Sequence, residues 1–233
     1  VIAHGFTINL AAIWLGVRGT SRPGILIVGS TPWAIALARE MQALRTPVMV
    51  VDASWQRLGA ARREGLPFYH GEILNEATEH NLDLSPYQVL IAATDNEAYN
   101  TLVCNEFAYE VGRDSVYQLG ESAEDGDDRH ALPEALRGRA LFESGFGVDE
   151  VAERQAQGWV FRKTKLSGAF DFEQAQEKLP DSANMLLLVR EGGELRFFTH
   201  AARPVPKAGD TILSYSPPQL KTPEAKASKP QPT

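Results

Sequence analysis

The sequence predicts a doubly wound α/β fold, a Rossmann-like parallel sheet with helices on both faces, followed by a second, smaller α+β domain. Three observations predict it. Between residues 23 and 143, short runs of continuous apolar residues recur, as strands buried on both faces require. These runs alternate with segments of helical periodicity, the pattern of parallel strands joined by crossover helices. The first run stops at a glycine, Gly29, and the second at an acid, Asp52, 23 residues later. That spacing is close to the one that brings a phosphate-facing turn and a ribose-facing acid together at the carboxyl edge of such a sheet.

Pro23-Gly24 breaks the chain ahead of the first strand, residues 25–28. Residues 33–44 repeat apolar positions at helical spacing, and residues 48–51 form the second strand. The alternation continues with helix 54–64, strand 68–70, helix 73–82, strand 89–93, helix 97–111 and strand 116–119. Residues 140–142 supply a sixth strand, which completes a domain over residues 23–143. A connector of residues 144–158 carries a helix over 148–157. Beyond it the composition shifts to strands at 159–164, 185–189, 194–198 and 211–215, with turns at Glu191-Gly192-Gly193 and Lys207-Ala208-Gly209-Asp210. With a short helix at 172–179, these make an α+β unit over residues 159–216. Residues 217–233 are rich in Pro, Lys, Ala and Ser, have nothing to bury, and are expected to be a disordered tail.

A formal charge of -7 with no concentrated basic face argues against a nucleic-acid partner. Cys104, the single cysteine, excludes an internal disulfide and a multi-cysteine zinc site. Its place in the helix at 97–111 reads as a buried structural thiol. The acidic cluster Glu121, Glu124, Asp125, Asp127 and Asp128 lacks the spacing of a calcium loop and reads as a solvated loop, so no metal site is expected. Residues 1–17 are apolar except for His4, Thr7 and Asn9, and Arg18 and Arg22 follow. Two readings of residues 1–22 stand: the end of a membrane helix with its basic flank on the cytoplasmic side, or an ordinary helix packed on the domain.

The candidate site is the carboxyl edge of the sheet. At Gly29-Ser30-Thr31-Pro32-Trp33-Ala34, a strand turns into a helix whose amino end favours an anion through free N–H groups and the helix dipole. Thr31 stands where a second glycine lets the backbone approach a pyrophosphate closely, and Ala34 replaces the third glycine. Asp52 is placed to bond ribose hydroxyls or to cap the next helix. Ala53 follows it. Gly71-Glu72 and Ala93-Thr94-Asp95 end the third and fourth strands at the same edge, and Asp95 or Asn96 is placed to cap the helix from residue 97.

Gly29 to Ala34, Asp52, Gly71-Glu72, Ala93-Thr94-Asp95 and Asn100 together resemble the nucleotide-binding half of the regulator-of-K+-conductance (RCK, or Trk-type) family. In that resemblance Gly71-Glu72 stands where Gly-Asp is usual, near the adenine. Residues 206–212 resemble the turn and last strand of the family's small carboxyl-terminal subdomain. Residues 130–142, with Gly158-Trp159, look like the connector in the tails of NhaP-type Na+/H+ or K+/H+ antiporters, and residues 1–18 are similar to the end of their last membrane helix.

The resemblance implies a cytoplasmic regulatory module on the inner membrane that binds NAD(H) or an AMP/ATP-like nucleotide and biases its own transmembrane antiporter domain. It also implies a homodimer or larger assembly, with a helix after the fifth strand exchanged between subunits. The nucleotide-binding residues it implies are Gly29, Ser30, Thr31, Trp33, Asp52, Ala53, Gly71, Glu72, Ala93, Thr94, Asp95 and Asn100. No catalytic residue is assigned, because His130 and His200 lie in no motif that gives either a role. The alternatives are a structural oligomerisation module with a vestigial site, favoured by Thr31, and an NAD-dependent oxidoreductase.

Overall fold

The computed structural model describes residues 23–121, 136–143 and 145–218. The expectations for the amino-terminal helix, most of the acidic cluster, His130 and nearly all of the carboxyl-terminal tail lie outside the described residues.

The main sheet has six parallel strands in the order β3-β2-β1-β4-β5-β7. They are β1 (Gly24–Val28), β2 (Val48–Asp52), β3 (Phe68–His70), β4 (Tyr87–Ala92), β5 (Val116–Gln118) and β7 (Arg139–Ala140). The order runs outward from β1 in both directions, which makes the carboxyl ends of β1 and β4 the switch point where ligands bind in this architecture. Four helices accompany them: α1 (Pro32–Ala43), α2 (Gly59–Arg63), α3 (Glu76–Asn81) and α4 (Glu97–Val111).

Strand alternation explains why the apolar runs are continuous. On β1, Ile25 and Ile27 enter the cluster that contains Trp33, Leu37 and Met41 of α1. Leu26 and Val28 enter a second cluster with Val103, Cys104 and Phe107 of α4. Each face is thus covered, and a polar residue at any of these four positions would lie in one core or the other.

Two helices are shorter than their periodicity predicts. The expected helix at 54–64 is regular only from Gly59, because Ser54 and Asp52 organise residues 54–58 as a turn: Ser54 Oγ accepts from Arg57 N at 3.3 Å and Asp52 Oδ1 from Ser54 N at 2.8 Å. The expected helix at 73–82 begins at Glu76, after a turn in which Asn75 N donates to Glu72 O. The sixth strand falls one residue earlier than expected, and Phe142 makes instead an isolated bridge to Thr199. A two-stranded ribbon of β6 (Gly120–Glu121) and β8 (Gly145–Phe146) was not foreseen.

After α5 (Val148–Ala156), an antiparallel sheet follows in the order β11-β10-β12-β9. Its strands are β9 (Val160–Lys165), β10 (Asn184–Val189), β11 (Leu195–Phe197) and β12 (Thr211–Ser216), with α6 (Phe172–Lys178) inserted after β9. Asp210, 4% exposed, holds the last turn by accepting from Lys207 N at 2.7 Å and Arg190 Nη1 at 2.6 Å. The antiparallel sheet packs on the α1 side of the parallel one through a continuous apolar cluster. Trp33 lies 6.2 Å from the Phe142 ring and 5.5 Å from Phe161 of β9, Tyr117 lies 4.2 Å from Phe197, and Lys163 pairs with Glu40 at 2.7 Å. Among the described residues no helix is long and apolar enough to cross a membrane.

Trp33 is the central side chain of this junction, and Trp33→Ala is expected to cost about 3–5 kcal/mol of unfolding free energy, read as a shift of the urea midpoint. Cys104 is also within a core, and burial pushes its thiol up to about 12. Its neutral form is therefore the folded form, and the fold loses stability as pH rises from the ordinary thiol range towards that value. Thiol-reagent labelling of the native protein should stay slow and flat between pH 7 and 9, about two pH units over which an exposed thiol speeds up, and become rapid in denaturant.

Candidate functional site

Gly29 is required where it stands. Its φ is +103°, and a Cβ there would come within 2.8 Å of Ala93 O and Thr94 N. Gly29 N donates to Val51 O at 2.8 Å, and Ala93 N to Val28 O at 2.8 Å, so the ends of β1, β2 and β4 are tied together immediately below the turn. Only a glycine gives both the positive φ and the close passage over β4.

The turn that follows is held largely by its own side chains, which leave the Thr31 and Trp33 amides without a partner. Ser30 donates to Asp52 Oδ2 through both its N–H, at 3.0 Å, and its hydroxyl, at 2.7 Å. Thr31 caps α1: its Oγ1 accepts from Ala34 N at 3.3 Å and donates to Ala93 O at 3.1 Å. Pro32 has no N–H. Thr31 is therefore turned onto the end of β4, and its methyl and hydroxyl do not fill the space beside Asp52.

Asp52 is 6% exposed, and all its acceptor positions are engaged. Oδ2 takes the two Ser30 donors, and Oδ1 takes Ser54 N at 2.8 Å and faces Arg57 Nε at 3.4 Å. Asp52 thus holds the turn at Ser54 and does not cap the helix itself, which begins at Gly59 without a side-chain cap. Arg57 continues across the edge to Asp95, with Nη1 at 3.4 and 3.3 Å from the two carboxylate oxygens.

On the far side, Tyr99 of α4 donates its hydroxyl to Glu72 Oε1, and burial, then that carboxylate, raises the Tyr99 phenol. Asn96 caps α4 by accepting from Tyr99 N at 3.0 Å. Asn100 is fully buried and clamps the loop after β4: its Oδ1 accepts from Thr94 N at 3.0 Å and Thr94 Oγ1 at 2.6 Å, and its Nδ2 donates to Thr94 O at 3.2 Å.

These groups surround a crevice of about 250 Å³. Of the residues singled out in the sequence, the fold brings Gly29, Asp52, Ala53, Gly71, Glu72, Thr94 and Asp95 to its walls. Ser30, Ala93 and Asn100 stand behind the wall, bonded to Asp52, Thr31 and Thr94 respectively. Trp33 and Thr31 do not reach this crevice. Trp33 is 1% exposed and faces the second sheet, because the first turn of α1 packs inward on Phe142 and Phe161. It lines instead an adjoining cavity of about 360 Å³, with Leu119 and with Val148, Val151 and Ala152 of α5. The crevice also includes residues that sequence reasoning did not single out, chiefly Arg57, Ile73 and Tyr99. Tyr99 falls three positions after the cap Asn96, a spacing that puts it on the first turn of α4; Arg57 carries no comparable signal.

The geometry accords with a comparison against known proteins. Residues 25–119 match the TrkA-N domain model. The matched segment spans β1 to the end of β5 and so contains every wall of the crevice. No curated protein matches the chain. Among solved structures, it is similar to the TrkA-N domain of inner membrane protein ybaL from Escherichia coli, at 18% identity and TM-score 0.38, covering 44% of this chain and 76% of that one. It is also similar to the NAD(P)-binding domain of an exopolyphosphatase-related protein from Archaeoglobus fulgidus, at 16% and 0.42, covering 59% and 96%. A third is the GsuK channel bound to NAD, at 12% and 0.39, where 84% of this chain spans 36% of the channel chain.

Asn100→Ala separates a holding role from a contacting one. It leaves Thr94 N without its acceptor and is expected to cost about 1–3 kcal/mol in urea unfolding, while Asp52 and Glu72 keep their partners.

Proposed function

We propose that this chain is the cytoplasmic regulatory module of a monovalent cation:proton antiporter and that an adenosine-containing nucleotide, NAD(H) or an AMP/ATP-like ligand, binds in the crevice beside Asp52. The observation that carries the reading is the crevice itself: about 250 Å³ at the carboxyl ends of β1, β2 and β4, between Asp52 and the Gly71-Glu72 and Thr94-Asp95 loops, with neither Thr31 nor Trp33 in it. The TrkA-N match over the same strands supports it. Asp52 would face ribose hydroxyls by exchanging one of its present donors, and Glu72 would accept from a base amino group. The antiporter, the inner-membrane location and the homodimeric or larger assembly rest on the sequence resemblance of residues 1–18, 130–142 and 206–212.

We read the module as a regulator without enzymatic activity of its own. A nucleotide would act only through different affinities for two arrangements of the domain, so its effect on transport is bounded by that difference. A second reading, a scaffold with a vestigial site, has its own support: Ser30 N and Ala34 N are already bonded and Pro32 has no N–H, so the turn offers a phosphate only the amides of Thr31 and Trp33.

Titration of the purified chain with NADH, NAD and AMP distinguishes the two. Regulation predicts a rise in melting temperature that saturates with ligand, by mass action. No shift at millimolar ligand leaves the scaffold reading. NADH consumption with any of a panel of carbonyl substrates would overturn the non-enzymatic assignment.

A further inference from the structure

The turn after β1 has spent part of the donors that would ordinarily receive a phosphate, and keeps the Thr31 and Trp33 amides without a partner. Ser30 N serves Asp52, Ala34 N serves Thr31, and Pro32 has none. The crevice walls are otherwise acidic, with Asp52, Glu72 and Asp95. Among the described residues, Arg57 is the only cationic side chain on those walls. It also lines the adjoining cavity and a third depression over the start of α1, so its side chain borders all three.

Arg57 is held there by two carboxylates of unequal standing. Asp52 is buried and has three better hydrogen bonds, from Ser30 and Ser54, so its 3.4 Å approach to Nε serves chiefly to orient the guanidinium. Asp95 has a side chain 73% exposed and pairs with Nη1 at 3.3 Å. An ion pair between groups this open to water is weak and readily exchanged. A guanidinium also meets a phosphate ester with the same forked geometry as it meets a carboxylate.

We infer that the Arg57 guanidinium supplies the positive charge of the phosphate subsite in this crevice, beside the few amides left at the amino end of α1, and that Asp95 is its internal competitor, holding Arg57 until a phosphate ester of adenosine displaces it. The inference rests on the nucleotide reading above and narrows it: the ligand must carry phosphate, and Asp95 weakens its binding instead of contacting it. Removing Asp95 and removing Arg57 therefore act in opposite directions.

The test uses the full chain with AMP and adenosine as probes, by calorimetric titration, for the wild type, Arg57→Gln and Asp95→Asn. Both side chains are exposed, so both variants should melt close to the wild type, which the same samples report. AMP should bind wild type more tightly than adenosine does. Arg57→Gln should weaken AMP about tenfold or more, the loss of a charged hydrogen bond, and leave adenosine unchanged. Asp95→Asn should tighten AMP by up to about fivefold, the worth of one exposed ion pair.

Two results overturn the inference while the nucleotide reading stands. One is that AMP and adenosine bind the wild type equally and Arg57→Gln changes neither. The other is that Asp95→Asn weakens AMP, as a residue in direct contact with the ligand would. If AMP, adenosine, NAD and NADH all fail to bind the wild type, the nucleotide reading falls and this inference falls with it.

Discussion

The Asp52 carboxylate is the point on which the carboxyl edge of the sheet depends. It is buried, and a buried charge is tolerated only where donors surround it. Two of its donors come from Ser30, in the turn after β1, and one from Ser54, in the turn after β2. A single side chain therefore fixes the relative positions of two loops that no backbone ladder joins. The same bonds set the path of the chain into α1, because Ser30 held on Asp52 leaves Thr31 to cap the helix and Trp33 to enter the core. The shape of the crevice follows from this one arrangement of charge and donors.

The chemistry of the edge is unusual for a turn of this kind. A glycine-rich turn leaves its amides free and lets a ligand complete them. Here Ser, Thr and Pro replace part of that openness with internal bonds, and fewer amides remain for an anion. The guanidinium of Arg57 adds a positive centre nearby, carried on a turn instead of at a helix end. Tyr99 and Glu72 supply the opposite wall, joined by their own hydrogen bond.

The strands were legible because parallel strands covered on both faces must be apolar without interruption. The residues at 25–28, 48–51 and 68–70 fall on β1, β2 and β3, each with its ends within a residue. The helix at 97–111 was legible to the residue because Asn96 caps it and Gly112, at φ +88°, ends it. The turn at 54–58 was not, since its Trp, Gln and Arg are compatible with a helix and only the bonds to Ser54 and Asp52 decide against one. The ribbon of β6 and β8 pairs two residues on each side, too few to leave a period. Within the site, positions at strand ends could be read because topology alone brings them to one edge. Arg57 and Tyr99 could not, because their place depends on side-chain partners from distant segments, and Trp33 was misplaced because nothing local told which way the first turn of α1 would face.

The shared apolar core between the two sheets has a mechanical consequence. Trp33, Phe142, Phe161 and Tyr215 meet across the junction with ring centroids 5.1 to 6.3 Å apart. A seam of aromatic rings does not bend like a linker: it either holds its register or slips to another. Trp33 is the second residue of the helix that begins at the crevice, so a displacement of that turn is geared directly to the antiparallel sheet, with no slack segment between them to absorb it.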